Sequence, residues 1–172
     1  MKKTLAMRVL ETRGIPYQVV SFPESIHDAL GVAAQAGLPP QMVYKTLVVE
    51  VRDEGEGRRR HRPRPLLVIV AADRTLDLKK VARAVGVKRV EMASHAEAER
   101  LTGLKVGGVS ALALLGKGFR VFLDEQAGML EEVVVSAGQR GLNLRLRVED
   151  LMRVTQAEWI DASQVTTDGG AA

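Results

Sequence analysis

Three short stretches hold residues whose type and spacing bear on chemistry: Lys45 in VYKTLVVEV, the Gly107–Gly108 pair ahead of Ser110 in LKVGGVSAL, and Ser136, Gly138, Gln139 and Arg140 in VVSAGQRGLNL. Strand alternation puts Lys45 on one face with Leu47 and Val49, opposite Thr46, Val48 and Glu50. Two readings follow. Either the ammonium sits at the strand's start and snorkels to water, or it stands at a pocket wall, where partial desolvation strengthens its hold on a phosphate, ribose or ester oxygen. The paired glycines raise a different question. Glycine inside an apolar stretch gives up side-chain packing and costs backbone entropy, so it marks a bend, a bulge or a group that approaches the backbone closely. In the third stretch glycines flank Gln139 and Arg140 between alternating apolar runs. That pattern is a hairpin, and by itself it fits an ordinary turn with a surface arginine.

Several familiar chemistries are excluded by single residues. ALALLGKGF resembles a phosphate loop, but Ala111 stands where the first glycine belongs and Gly118 where a Ser or Thr must follow Lys117. GVSAL begins like a nucleophile elbow and then has Leu112 in place of the closing glycine, with no histidine placed beside Ser110. His27, His61 and His95 are far apart and lack metal-ligand spacing, so no metal is expected. The run RRRHRPR, with Arg58, Arg59, Arg60 and Arg62, suits a nucleic-acid backbone or simply a solvated loop. No aromatic residue is interleaved with it to stack on bases.

The elements that must carry these residues follow from periodicity. Residues 4–13 present Leu5, Val9 and Leu10 on one helical face, and Gly14 stops the helix before the strand YQVVSF. A second helix places Ile26, Ala29, Leu30, Ala33 and Ala34 on one face and ends near Gly37. KTLVVEV and PLLVIVAA are strands joined across the charged loop RDEGEGRRRHRPR. Helical spacing recurs at Leu78, Val81, Ala82 and Val85, capped by Asp77 and Gly86, and Ser94 with Glu97 opens a short helix that ends near Gly103. Strands at FRVFL, EEVVVS and LNLRLRV precede a helix around EDLMRV. Strands interleaved with helices, some across hairpin-length links, give an α/β (α+β) single domain with a central mixed β-sheet flanked by helices. Residues 1–163 are expected to form that domain and 164–172 a disordered tail.

Composition sets the outer limits. A chain of 172 residues is long enough for one core without disulfides. Its scarce aromatics leave that core to Val, Leu, Ala and Ile. Lys and Arg exceed Asp and Glu by four (25 against 21), which suits an anionic partner without requiring one. Without cysteine there is no thiolate catalysis and no disulfide, compatible with a cytoplasmic location. Charges at Arg8, Glu11 and Arg13 interrupt the N-terminal segment before a signal-peptide core forms, and no apolar run spans a bilayer.

With VYKTLVVEV, LDLKKVARAVGVKRVEMAS, TGLKVGGVS and VVSAGQRGLNLRL in this order and spacing, the chain from about residue 4 to residue 162 resembles the YbaK/EbsC proteins. These are freestanding relatives of the editing domain inserted in bacterial prolyl-tRNA synthetases. The resemblance implies the fold of that domain and the hydrolysis of a mischarged tRNA, typically Cys-tRNA(Pro). It implies a pocket in which Lys45, Gly107 and Gly108 are catalytic, Lys45 orienting the terminal adenosine or the ester and the glycines letting the aminoacyl group lie close to the backbone. Phe22, Thr46, Val106, Ser110, Ser136, Gly138 and Asn143 are expected to line the same cleft, and the arginine loop to help hold the acceptor stem. It implies no cofactor, metal or protein nucleophile. The cysteine thiol or the free ribose hydroxyl of the substrate would attack or activate water. Mischarged tRNA(Pro) and prolyl-tRNA synthetase are the implied partners, with no membrane, and with either a monomer or a homodimer.

Two departures from the family pattern bear on specificity. Ala111 replaces the proline that ends the glycine loop, which is expected to loosen it. Asn143 replaces an aspartate, exchanging a carboxylate that can bind an ammonium for a neutral amide. Alternatives therefore stand beside the leading one: a deacylase for another mischarged tRNA such as Ala-tRNA(Pro), a non-catalytic aminoacyl-tRNA binding module, or a domain unrelated to tRNA.

Overall fold

The computed structural model describes residues 2–52 and 64–166, and the arginines at 58, 59, 60 and 62 lie outside them. The first helix, α1 (Leu5–Thr12), is opened by the Thr4 hydroxyl, which accepts from the Met7 N–H at 3.3 Å. Strand β1 (Gln18–Ser21) follows, then α2 (Ala29–Ala36), capped by Asp28 and closed by left-handed Gly37. The next strands are β2 (Tyr44–Val51), β3 (Leu66–Ala71) and the short β4 (Arg74–Leu76). Helix α3 (Leu78–Val85) has Asp77 and Gly86 as its caps, and β5 (Val90–Met92) leads to α4 (His95–Thr102), where Ser94 Oγ accepts from the Glu97 N–H. The C-terminal part runs through β6 (Arg120–Asp124), β7 (Glu132–Gln139), β8 (Leu142–Arg147), α5 (Val148–Thr155), β9 (Glu158–Ile160) and β10 (Ser163–Val165).

A five-stranded mixed sheet in the order β5-β2-β3-β6-β9 forms the centre, as the alternation of strands and helices predicts. A three-stranded antiparallel sheet β1-β8-β7 and a two-stranded β10-β4 ribbon accompany it. β2 and β3 pair antiparallel across the charged loop. The two larger sheets meet along β2 and β7, which touch through one parallel bridge between Val43 and Val134. Tyr44 and Val48 of β2 join the core shared with β7, β8 and α1, while Val49 joins a second cluster beneath α3. β2 is thus buried on both sides, and its polar residues stand out for that reason.

Two helical faces differ from the periodicity. Leu5 is 55% exposed, and Ala6, Met7 and Leu10 are the buried residues of α1, which packs on the turn at Leu112–Leu114 and on β7. In α2 the buried residues are Val32 and Ala33; Leu30 is exposed, and Ile26 precedes the helix because Asp28 is its cap. In both cases apolar residues at the helix start satisfy the pattern without facing the core. The C-terminal boundary also differs: Gln164 and Val165, expected in a tail, pair with Thr75 and Arg74. Ser163 anchors this ribbon. The fully buried Asp124 carboxylate accepts from the Ala162 N–H at 3.0 Å and the Ser163 hydroxyl at 2.6 Å, and Arg74 Nε donates to that hydroxyl oxygen at 2.6 Å. Asp124→Ala leaves two buried donors without an acceptor, at a cost of about 3 kcal/mol. Urea unfolding of the variant reads that loss as a lower midpoint with an unchanged slope.

Candidate active site

LKVGGVSAL forms no strand. The Gly108 N–H donates to Lys105 O at 2.8 Å, Gly107 has φ of +90°, and a short helical turn follows at Leu112–Leu114. Close approach to the glycines comes from the chain itself. A Cβ on Gly107 would collide with the His27 Cβ and lie 2.8 Å from the His27 carbonyl oxygen. One on Gly108 would stand 3.0 Å from Gln139 Cα. The missing Cβ atoms let the loop nest between the segment before α2 and the tip of the β7–β8 hairpin.

That hairpin tip is irregular. Its register shifts between Ser136 and Gln139, leaving Ala137 and Gly138 as a bulge, with Gly138 at φ of +100°. A Cβ at Gly138 would lie 3.2 Å from Ala113 Cβ and 3.9 Å from Ser110 Cβ. Arg140 Nε donates to Val106 O at 2.7 Å. The two motifs, some thirty residues apart in sequence, thus interlock through Val106–Arg140, Gly108–Gln139 and Ser110–Gly138. Arg140 is part-buried with no carboxylate partner among the described residues, and is more than the surface arginine its local pattern allows. Neither its role nor that of His27 leaves a periodic signal in the sequence.

Ser110 and Ser136 are 2% and 8% exposed, and each hydroxyl oxygen accepts a backbone N–H, from Ala113 at 3.3 Å and Gly138 at 3.1 Å. Neither is paired with a base. Asn143 is 5% exposed, opposite Ser136 on β7 and Val20 on β1, and its amide makes no hydrogen bond to a described residue. Ala111 has φ of −62° and ψ of −33° at the start of the helical turn. It therefore keeps the φ that proline would impose.

Lys45 enters through the seam between the sheets. Two residues beyond the Val43–Val134 bridge stand Lys45 on β2 and Ser136 on β7, so the lysine is carried toward the bulged hairpin. Its ammonium is part-buried and forms no hydrogen bond or ion pair with a described residue. Burial holds its pKa below the usual lysine value, and the Asp73 carboxylate opposes that shift. Asp73 itself has a buried Oδ1 without a partner. An unpaired, partly desolvated ammonium fits the second reading of the sequence, a cation held for a ligand oxygen. Thr46 is part-buried on the opposite face of β2. Phe22, expected to bound the pocket, is a core residue packed with Val43 and Val134 at the seam, its N–H bonded to Gly141 O at 3.0 Å.

His27 and His95 are exposed, and no group of metal-binding side chains occurs among the described residues. Two hollows lie elsewhere, one between Trp159, Met152 and Leu130 and the other beside Arg13 and Arg153. Neither contains a residue of the interlocked motifs. The site is marked instead by buried polar groups and backbone contact.

Comparison with known proteins identifies the family. The chain is 32% identical over 168 residues to a protein of Enterococcus faecalis assigned as a Cys-tRNA(Pro)/Cys-tRNA(Cys) deacylase, EbsC, covering 96% of this chain and 94% of that one. It is 27% identical over 157 residues to the multifunctional Ser/Thr-tRNA deacylase ProXp-y of Escherichia coli, covering 91% and 87%. A crystal structure described as a trans-editing enzyme for prolyl-tRNA synthetase superposes with a TM-score of 0.75 at 28% identity, covering 95% of this chain and 99% of that one. The hypothetical protein APE2540 shares the fold with a TM-score of 0.79 at 23% identity, covering 93% and 99%. Residues 23–154 match the aminoacyl-tRNA editing domain, and with the interlocked glycine motifs and Lys45 inside that span, the chain belongs to the aminoacyl-tRNA editing family.

Proposed function

We propose that this protein is a freestanding deacylase that hydrolyses the ester of mischarged tRNA(Pro), with cysteine as the aminoacyl group. The observation that carries the reading is the unpaired, part-buried Lys45, two residues beyond the Val43–Val134 bridge at the sheet seam, as Ser136 of the bulged hairpin is on β7. Lys45 would take an oxygen of the terminal adenosine or the ester, and the backbone of Val106–Ser110 would hold the aminoacyl group. Neither buried serine has a base beside it, so activation comes from the substrate: its thiol attacks the carbonyl and expels the ribose oxygen, leaving a cyclic thioester that water opens, or its free ribose hydroxyl directs water to the carbonyl, with the ribose oxygen as leaving group. Positioning of that kind lowers a barrier without a protein nucleophile. A domain of this size contacts little of a tRNA, so prolyl-tRNA synthetase is the proposed partner that supplies the choice of tRNA.

A second reading rests on Asn143. With a neutral amide at that place, serine or threonine is an alternative aminoacyl group, in line with the name of the Escherichia coli relative. Deacylation of tRNA(Pro) charged separately with cysteine, alanine, serine and proline, and of tRNA(Thr) charged with serine, decides between them. The expected result is fastest release of cysteine with prolyl-tRNA spared. Preference for serine establishes the second reading. Salt-sensitive tRNA binding without hydrolysis of any species defeats both in favour of a binding module.

A further inference from the structure

The Lys105–Gly108 turn has a defined type. Its ends are closed by Gly108 N–H to Lys105 O at 2.8 Å, and its third residue, Gly107, has φ of +90°. Val106, the second, is not among the residues with positive φ. That combination is a type II turn, which differs from type I chiefly in the orientation of its central peptide. The carbonyl of that peptide is Val106 O, the atom to which Arg140 Nε donates at 2.7 Å. In a trans peptide the N–H points away from the C=O. The Gly107 N–H is therefore aimed to the side opposite Arg140, and it donates to no backbone acceptor among the described residues.

We propose that Arg140 is a positioning residue that locks the Val106–Gly107 peptide in its type II orientation, so that the Gly107 N–H is held ready to donate to an oxygen of the aminoacyl ester. The proposal rests on the deacylase reading of the same site. Without the guanidinium the central peptide is free to flip, which turns a carbonyl oxygen to where the N–H pointed and reverses the polarity offered to the substrate. Such a flip leaves the hairpin, Lys45 and the binding surface in place. Its cost therefore falls on turnover, where a donor fixed before the reaction begins matters most.

Side-chain geometry separates this role from simple charge. Glutamine carries its Nε2 donor at the same distance along the chain as arginine Nε, lysine keeps the charge without a donor at that place, and methionine keeps the length with neither. Arg140→Met and Arg140→Lys are expected to lower single-turnover deacylation about 10- to 100-fold with apparent KM within about twofold, whereas Arg140→Gln stays within about threefold of the parent. Circular dichroism checks that all three variants fold, and hydrogen exchange at Gly108, whose N–H closes the turn, reports the loop directly. Faster exchange in the Met and Lys variants but not in the Gln variant is the expected pattern. Activity kept by Lys and lost by Gln overturns the proposal in favour of a charge role toward the nucleic acid, and so does a Met variant equal to the parent. If the parent hydrolyses no charged tRNA, the deacylase reading falls, and exchange at Gly108 alone tests the lock: an unchanged rate in Arg140→Met overturns it.

Discussion

Gly107→Ala is expected to lower deacylation about 100-fold while leaving most of the protein folded. Two independent effects converge on this position. The third residue of a type II turn needs a positive φ, and at φ of +90° an alanine is strained by about 1–2 kcal/mol. Its methyl group would also collide with the His27 Cβ and approach the His27 carbonyl oxygen to 2.8 Å, and backbone does not yield as the end of a flexible side chain does. The turn must move away from His27 or change type, and either movement displaces the peptide proposed to face the ester. Gly103→Ala is the matched control. Gly103 is also left-handed, at φ of +72°, but nothing lies within 4 Å of where its Cβ would stand. That variant is expected to lose about 1 kcal/mol of stability and little activity. Single-turnover kinetics with urea unfolding on both variants makes the comparison, and a Gly107→Ala enzyme within about threefold of the parent would remove the loop from the site.

The same glycines show how far the sequence is legible. Their presence in an apolar segment signals a close approach, but the approaching groups come from residues 27 and 139–140, far away in the chain, and no local pattern names them. Strand β2 is readable because Leu47, Val48, Val49 and Val51 form a short apolar, largely β-branched run, and α3 because Leu78, Val81, Ala82 and Val85 share a face with both caps in place. β4, β5, β9 and β10 are only three residues each and gain their conformation from partners such as Ser163 and Asp124, so they carry too little periodicity to detect. Arg140 is ambiguous for a similar reason. A hairpin arginine between glycines is ordinary until the Val106 carbonyl is found 2.7 Å from its Nε. Asn143 is the converse, a single substitution visible at once in the sequence, whose buried amide the fold leaves without a hydrogen bond among the described residues.

Lys45→Ala is expected to reduce deacylation by about 100- to 1,000-fold, the range for removing one electrostatic donor from a reacting oxygen. A lysine serving only to snorkel would leave activity close to that of the parent. Folding should survive the change, because the ammonium makes no hydrogen bond or ion pair with a described residue and loses only its attraction to Asp73, which is smaller than the burial cost it opposes. Lys45→Met, which preserves the stem, sharpens that point. Burial lowers the lysine's pKa in the folded chain below the ordinary 10.5, so between the two values the unfolded chain binds more protons than the folded one. Parent stability relative to Lys45→Met should therefore rise with pH across that window and be smallest below it, where the folded protein carries the desolvated charge. Arginine is not an equivalent replacement, since its planar fork needs space that a compact ammonium does not. Lys45→Arg should thus remain well below the parent in turnover even though charge is kept. A variant without the ammonium that keeps parental turnover would place the reacting ester away from β2, whatever the family resemblance implies. A loss confined to turnover, together with the pH-dependent stability difference, ties the cost of burying this cation in the folded chain to its use on the substrate.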